Sequence, residues 1–262
     1  MLRAFSTAAT GMEAQQTVVD VIANNLANIN TTGYKRAQVD FQDLMYLKLA
    51  EAGRETAAGV VAPSGFEVGT GVSPASTLRV FSQGEMVNTQ RKLDVAIEGD
   101  GFFQVTTPNG ATRYTRDGSL RIDANGNLVT SSGYLLSPAI SIPTDARSIS
   151  IGKDGTISVL AGASQTPSVV GTLTLARFAN PAGLSSEGEN LLAETPASGS
   201  ATTGTAGAGG FGTIRQGFLE KANVQMVTEL VNLITAQRAY EINSRAIRAG
   251  DEMLTTANRL IS

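Results

Sequence analysis

The sequence lacks cysteine, histidine and tryptophan altogether in its 262 residues. Without cysteine, the chain can form no disulfide and has no thiol nucleophile or thiolate metal ligand. Without histidine, it lacks the commonest metal ligand and the commonest general base at neutral pH. Composition therefore argues against an enzyme or a metalloprotein, and we expect no cofactor.

Charge and long apolar runs are also scarce. Charged residues make up 16% of the chain and the net charge is -3, with no basic run interleaved with aromatics, so nucleic-acid binding is not expected. The sequence contains no run of about 18 apolar residues, which is the length that would predict a membrane span. The first ten residues carry one positive charge and no apolar core of a cleavable signal peptide, which predicts retention in the cytoplasm unless another export route exists.

Both ends of the chain show an apolar residue at every seventh position. All eight prolines lie between Pro63 and Pro196, so neither end contains the residue that most strongly interrupts a helix. A sustained heptad stripe needs a partner helix along its length. We therefore predict that residues 1–45 and 214–262 form a coiled-coil-like domain of long helices, with Asn223 as the N-cap of the second helix.

The heptad stripes are the predicted self-assembly interface. Its residues are Phe5, Met12, Val19, Ile22, Leu26, Ile29, Met226, Leu230, Leu233, Ile234, Tyr240, Ile247, Leu254 and Ile261. A two-helix hairpin core within one monomer is the alternative interpretation. That hairpin would leave the far faces of the helices, including Leu230 and Ile234, without cover.

The middle of the chain changes period. From residue 93 onward, short apolar runs alternate with Asn-Gly and Asp-Gly dipeptides, which are strong hairpin signals. We predict an α+β protein in which an antiparallel β-domain (residues 93–185) is inserted between the terminal helices. Residues 46–92 and 186–213 are predicted connectors, the second because its 196–213 stretch is mostly small residues and glycine.

Three candidate chemical motifs are weak. The glycine run at 207–212 matches a dinucleotide-binding pattern by letter but follows no buried strand, so a flexible linker is favoured. Asp123-Ala-Asn125-Gly126 resembles a calcium loop but lacks the glutamate at its twelfth position, which favours a turn. A carboxylate pair could be drawn from Asp94, Glu98, Asp100, Asp117 and Asp123, although acids beside turns are usually just solvated.

Several long motifs resemble one family. The run ANNLANINTTGYKR at residues 23–36 and the run ELVNLITAQRAYEINS at 229–244 are similar to the N- and C-terminal signatures of bacterial flagellar rod and hook proteins. DVAIEGDGFF at 94–103 and YTRDG at 114–118 resemble the central β-domain of that family. The resemblance spans nearly the whole chain.

The resemblance implies a structural role. The chain's length and connector most resemble a distal rod subunit that assembles into a helical tube and carries torque to the hook; a proximal rod or hook-type subunit is the alternative. The implied partners are further copies of the chain, the proximal rod and hook-type subunits, the surrounding outer-membrane and peptidoglycan ring proteins, and the flagellar export apparatus. Export by that apparatus, without a cleaved signal, would place the protein across the periplasm. A secreted binding or adhesion module with dimerising helices is a hypothesis from another class.

Overall fold

The computed structural model describes residues 2–57, 60–61, 63–162 and 166–261. Helix α1 covers Leu2–Ala27 and helix α2 covers Met226–Ile261. The regular structure described between them consists of strands and one 3-10 turn, Pro181–Gly183. The predicted α+β class, with a helix at each end and a β-rich middle, is confirmed. No described helix is long and apolar enough to cross a membrane.

The chain divides into two compact units. The helical unit comprises Met1–Leu26, Ala37–Leu78 and Gln225–Ser262, and the β-unit comprises Ala27–Arg36 and Arg79–Val224. Each unit is therefore built from segments that are distant in sequence, and the chain passes between the two units several times.

The helical unit brings α1 and α2 together in opposite directions. The ring of Phe5 lies against Gly250, where a Cβ would approach the ring to 2.6 Å. Further along, Gly11 faces Asn243, and a Cβ on Gly11 would lie 2.8 Å from the Asn243 amide nitrogen. Early residues of α1 thus meet late residues of α2, as in an antiparallel pair.

The described residues between 37 and 79 form a two-stranded ribbon. Its strands are β1 (Ala37–Asp43), β2 (Tyr46–Ala50), β3 (Glu55–Ala57), β4 (Val60–Val61), β5 (Phe66–Gly69) and β6 (Val72–Arg79). They pair in nested order, β1 with β6, β2 with β5 and β3 with β4. A ribbon from Ala37 to Ala57 can reach at most about 70 Å at about 3.3 Å per residue.

The ribbon starts at a side-chain contact with α1. The Asn25 side-chain amide donates to the Ala37 carbonyl at 2.8 Å, and the Ala37 N–H donates back to the Asn25 amide oxygen at 2.9 Å. Asn25, which is buried, thus imitates a strand partner for the first residue of β1. Within the predicted connector at 46–92, β2 and β5 are ordered by pairing with each other.

The described residues of the β-unit form sixteen further strands. They are β7 (Met86–Asn88), β8 (Val95–Glu98), β9 (Phe102–Thr106), β10 (Thr112–Thr115), β11 (Arg121–Ile122), β12 (Leu128–Val129), β13 (Leu135–Ser137), β14 (Ala146–Ile151), β15 (Thr156–Ala161), β16 (Ser168–Thr172), β17 (Thr174–Arg177), β18 (Ser185–Gly188), β19 (Leu191–Ala193), β20 (Thr202–Thr205), β21 (Thr213–Gln216) and β22 (Phe218–Glu220).

Strand β9 is the centre of a nine-stranded sheet. Its path is β11-β12-β13-β9-β10-β19-β18, and β17 pairs with both β9 and β20. Successive residues of β9 point to opposite faces, and Phe103 belongs to one buried cluster while Phe102 belongs to another. Both faces of the sheet are therefore covered at β9, which explains why two successive residues of this strand are buried aromatics.

The chain enters and leaves this unit through paired strands. β7 pairs with β22 and β8 pairs with β21, both antiparallel. β14, β15 and β16 form a separate three-stranded sheet. The ends of the unit's long segment are thus held together by backbone hydrogen bonds.

The prediction of a flexible linker at 196–213 is wrong. β20 pairs antiparallel with β17, and the glycine run forms a turn in which the Gly207 N–H donates to the Gly212 carbonyl at 2.9 Å. Phe211 packs against the larger core cluster. Composition alone missed this because the ordering comes from long-range strand pairing.

Candidate assembly site

The predicted interface residues separate into covered and exposed groups. In α1, Ile22 is buried, while Phe5, Met12, Val19 and Leu26 are half-buried. In the segment after α1, Ile29 is half-buried and packs in a small β-unit cluster with Tyr34, Ala222 and Val224.

Helix α2 carries both kinds of residue. Leu233, Ile247 and Leu254 are half-buried. The exposed members of the predicted set are Met226, Leu230, Ile234 and Tyr240. The side chain of Ile261 lies outside the described residues.

The most buried row of α2 is polar and small, and sequence reasoning missed it. Glu229, Ala236 and Gly250 are buried and Asn243 is half-buried, at heptad spacing from one another. A search for apolar heptads passes over such a row. Small residues allow close approach of a neighbouring helix, as the contact between Phe5 and Gly250 illustrates.

The first turns of α2 present an apolar face to solvent. Val227 is 75% exposed, Val231 56% and Ile234 50%, and Met226 and Leu230 are exposed beside them. The other four residues follow Met226 by one, four, five and eight positions, which places all five on one side of the helix. An exposed apolar face of this kind is a candidate interaction surface.

Exposed large apolar side chains are concentrated in the helical unit. Within the described residues, the β-unit contributes three: Ile122, Leu135 and Val169. The ribbon adds its own exposed set: Phe41, Met45, Tyr46, Leu47, Leu49, Phe66 and Leu78. The helical unit thus has two surfaces suited to burial against another chain.

A buried charge cluster joins distant segments of the β-unit. Glu220 accepts from Lys35 at 2.6 Å through one carboxylate oxygen and from Arg116 Nε at 2.7 Å through the other. The Gly84 N–H also donates to the carboxylate, at 2.8 Å. All three charged side chains are at least nine-tenths buried.

Arg116 uses the rest of its guanidinium on backbone carbonyls. It donates to Gly99 at 2.6 Å, to Ile97 at 3.3 Å and to Gly101. Lys35 also donates to the Ser82 carbonyl at 2.7 Å. The cluster therefore cross-links the segment after α1, the loop before β9, the loop after β10 and the end of β22.

Burial and charge act in opposite directions on Glu220. Burial by itself would raise the pKa of its carboxyl, but Arg116 and Lys35 together hold that pKa below its usual value. Burial lowers the pKa of the Lys35 ammonium, and Arg116 lowers it further against the opposing effect of Glu220. Two cations thus share one ionised carboxylate.

The segment after α1 is fixed by additional contacts. Gly33 has a φ of +68°, and its N–H donates to the Glu220 carbonyl at 2.8 Å. A Cβ at Gly33 would lie 2.7 Å from the Arg116 carbonyl carbon, so the approach requires glycine. Thr32 donates through its hydroxyl to Asp117 at 2.8 Å.

The side chain of Asn223 links two backbone segments and does not cap a helix. Its amide oxygen accepts from the Arg36 N–H at 2.7 Å, and its amide nitrogen donates to the carbonyls of Val80 at 2.8 Å and Ser82 at 3.1 Å. The predicted N-cap role is wrong, because α2 begins three residues later. The side chain instead satisfies backbone groups of two neighbouring segments.

Three of the candidate acids have structural contacts of their own. Asp117 binds Thr32 and Ser119, and Asp123 organises its own turn by accepting from the Asn125 and Asn127 N–H groups. Asp94 is buried, with Arg91 Nε 3.7 Å away. Within the described ranges, no group of three or more acidic side chains could hold a metal ion.

Three family models match the chain in succession. Residues 5–35 match the flagella basal body rod protein family, residues 96–159 match the flagellar hook protein FlgE/F/G D1 domain, and residues 215–260 match the flagellar basal body rod FlgEFG protein C-terminal family. Lys35 falls in the first match, Arg116 in the second and Glu220 in the third. The charge cluster therefore joins the three matched regions. Together these matches define a flagellar axial protein.

Full-length relatives narrow the class. The chain is 48% identical over 262 residues to the flagellar basal-body rod protein FlgG of Borreliella burgdorferi, covering 99% of each chain. It is 48% identical over 251 residues to the protein of that name from Buchnera aphidicola, covering 96% of each. The Bacillus subtilis protein of that name is 39% identical over 261 residues. The chain belongs to the flagellar basal-body rod protein family.

Proposed function

We propose that the protein is the structural subunit of the flagellar distal rod and assembles with copies of itself into a helical tube. The tube acts as a rigid drive shaft that carries torque from the motor to the hook. Membership of the basal-body rod family supports this role and the location in the flagellar basal body. The family is structural, and we assign the chain no catalytic activity.

The exposed apolar face of α2 is the observation that carries the proposal. Met226, Val227, Leu230, Val231 and Ile234 expose 40–75% of their surface. Fully burying one such side chain stabilises by about 1.5–3 kcal/mol, so contacts between copies along this face can drive association. We infer that α1 and α2 form the coiled-coil-like core of the tube and that this face packs on neighbouring copies.

The ribbon and the charge cluster supply stiffness in this proposal. In the tube, the ribbon would contact adjacent copies through its exposed aromatic and aliphatic side chains, such as Phe41, Tyr46 and Phe66. Lys35 lies in the segment after α1 and Glu220 in the segment before α2. The charge cluster holds both segments in place within the β-unit. A shaft built from such subunits resists shear within each subunit as well as between copies.

The partners follow from this role. The tube would join proximal rod and hook-type subunits at its ends and run inside the outer-membrane and peptidoglycan rings. The subunits would reach the periplasm through the flagellar export apparatus. The absence of cysteine in the sequence suits passage as an unfolded chain.

Concentration-dependent polymerisation tests the proposal. Ile234→Asp places a carboxylate on the exposed α2 face, and we expect it to abolish tubes seen by electron microscopy while leaving thermal unfolding of the β-unit unchanged. Val169→Asp is the matched control, because Val169 is 67% exposed but lies in the β-unit. A parent protein that stops at dimers would instead favour a binding module with dimerising helices, and tubes formed by Ile234→Asp would refute the role of this face.

A further inference from the structure

The β-unit contains a cleft that the assembly contacts described above do not use. Its volume is about 410 Å³, within the range of about 300–1,000 Å³ that is usual for binding pockets. Phe81, Phe102 and Phe178 form its apolar wall, with the Phe102 ring edge-on to the other two at centroid distances of 5.5 and 5.8 Å.

Cationic side chains contribute to the same cleft. Lys35, Arg116 and Arg177 line it, together with one acid, Asp100. Glu220 neutralises one of the two buried cations, so the buried cluster keeps a net positive charge. Aromatic walls of low dielectric constant exclude water and strengthen the field of such a charge.

Arg177 lies at the exposed edge of the cleft. Its guanidinium donates to the Gly210 carbonyl at 3.2 Å and lies 5.6 Å from the centroid of the Phe211 ring. These contacts orient the arginine. Among the described residues, no acidic side chain forms an ion pair with it. The cleft thus suits an occupant that combines a carboxylate with an aromatic or large aliphatic side chain.

We propose that this cleft receives the acidic, aromatic part of the ribbon from a second copy of the chain. The inference rests on the proposed function, since it names the surface that a neighbouring ribbon contacts. Residues 37–78 contain five acids and two bases, the acids being Asp40, Asp43, Glu51, Glu55 and Glu67. Tyr46, 52% exposed, and Phe66, 60% exposed, lie in the same segment.

Charge distinguishes the ribbon from the other exposed apolar surface. The segment 225–262 has four acids and four bases, so the face of α2 offers the cleft no net attraction. In the ribbon, the Asp43 carboxylate accepts a hydrogen bond from the Tyr46 hydroxyl, an interaction that raises the pKa of the tyrosine. This pair presents a carboxylate and an aromatic ring together, next to Met45, which is 86% exposed.

Cross-linking between labelled copies tests the inference. The photoreactive residue p-benzoylphenylalanine replaces Thr202, which lines the cleft, and tubes are assembled from a mixture of ¹⁴N- and ¹⁵N-labelled full-length chains. We expect mass spectrometry to find cross-links between light and heavy chains that join residue 202 to peptides containing residues 43–49 or 63–69. Cross-links confined to one chain, or directed to the helices, would overturn the inference.

Charge reversal provides the second measurement. Arg177→Glu is expected to lower the yield of these cross-links about tenfold, which corresponds to about 1.4 kcal/mol, and Asp43→Lys is expected to lower it similarly. The double variant Arg177→Glu with Asp43→Lys should recover most of the yield. Arg147→Glu is the matched control, because Arg147 is exposed in β14 and does not line the cleft.

The outcomes separate this inference from the proposed function. If the parent protein forms no tubes, the proposed function fails. If tubes form but the light-to-heavy cross-links are missing, or if Arg177→Glu behaves like Arg147→Glu, the ribbon does not occupy the cleft and only this inference fails. Asp43→Lys lies on the ribbon and tests the same contact independently of any effect of Arg177→Glu on the fold of the β-unit.

Discussion

Replacing Glu220 by glutamine should destabilise the β-unit more than any other single loss of charge in it. The carboxylate lies between Lys35 and Arg116 at 2.6 and 2.7 Å and is almost wholly buried. Glu220→Gln keeps the shape of the side chain but leaves two buried cations facing each other. Removing one partner of a buried ion pair costs about 3–5 kcal/mol.

That loss is large enough to measure by thermal unfolding. For a unit of this size, each kcal/mol shifts the unfolding midpoint by about 2–4 °C, so we expect a decrease of roughly 6–20 °C in the near-ultraviolet circular dichroism transition. Burial already lowers the pKa of Lys35, and removing Glu220 would lower it further. Neutralisation of the lysine would limit the loss toward the lower end of this range.

Glu187→Gln is the matched control. Glu187 pairs with Arg113 at 2.5 Å, but both side chains are partly exposed, and exposed pairs contribute about 0.2–1 kcal/mol. Lys35→Met is the informative comparison, because it leaves one cation with one carboxylate and should cost less than Glu220→Gln. The reasoning is refuted if Glu220→Gln and Glu187→Gln unfold at the same temperature.

The stability difference between the parent and Glu220→Gln should depend on pH. The pKa of Glu220 is lower in the folded protein than its usual value, so the ionised carboxylate stabilises the fold above the unfolded pKa of about 4.3. That contribution is lost as the pH falls through the folded pKa. The stability difference between the parent and Glu220→Gln should be complete at neutral pH and shrink below about pH 4, as urea unfolding at several pH values would show.

Four further changes test other parts of the molecule. Leu233→Asp and Ile247→Asp each put a carboxylate on the half-buried side of α2 at a cost of several kcal/mol; we expect no tubes by electron microscopy, with an unchanged β-unit transition, and normal tubes would contradict the assignment of this stripe. Gly250→Ala should weaken helix pairing because the new methyl group meets the Phe5 ring, and Phe5→Leu in the same chain should restore the far-ultraviolet helix signal; a lack of rescue would show that this contact does not set the pairing. Replacing residues 51–65 by Asn-Gly keeps the pairing of β2 with β5 through a two-residue turn and should give tubes that bend, whereas straight tubes or no tubes would contradict a role of the ribbon in stiffness.

Local pattern predicted the elements whose stabilising contacts are local or repetitive. The heptad spacing and the absence of proline predicted both long helices, and the Asn-Gly and Asp-Gly turns predicted an antiparallel β-domain. β17 lies within the predicted β-domain and pairs with β9. These signals succeed because helix periodicity and two-residue turns depend on neighbours in sequence.

The predicted assembly residues illustrate the limit of that approach. A heptad pattern identified Leu233 and Ile234 together, but only Leu233 is half-buried in the structure, whereas Ile234 is exposed. It also places Glu229 and Gly250 in the most covered row of α2. Which side of a helix is covered depends on where the partner helix lies, and an apolar periodicity cannot report a row of small and polar residues.

The sequence by itself determined the two helices, the β-rich middle and the family, because the pattern or motif that indicates each of them lies in contiguous residues. Tertiary structure decided that the glycine-rich segment becomes a ribbon and that the segment at 202–205 joins a sheet. It also decided that Lys35, Arg116 and Glu220 meet, although 185 positions separate the first from the last. The physical reason is the same in each case: hydrogen bonds and ion pairs between residues far apart in the chain supply the order, and no local pattern encodes their partners.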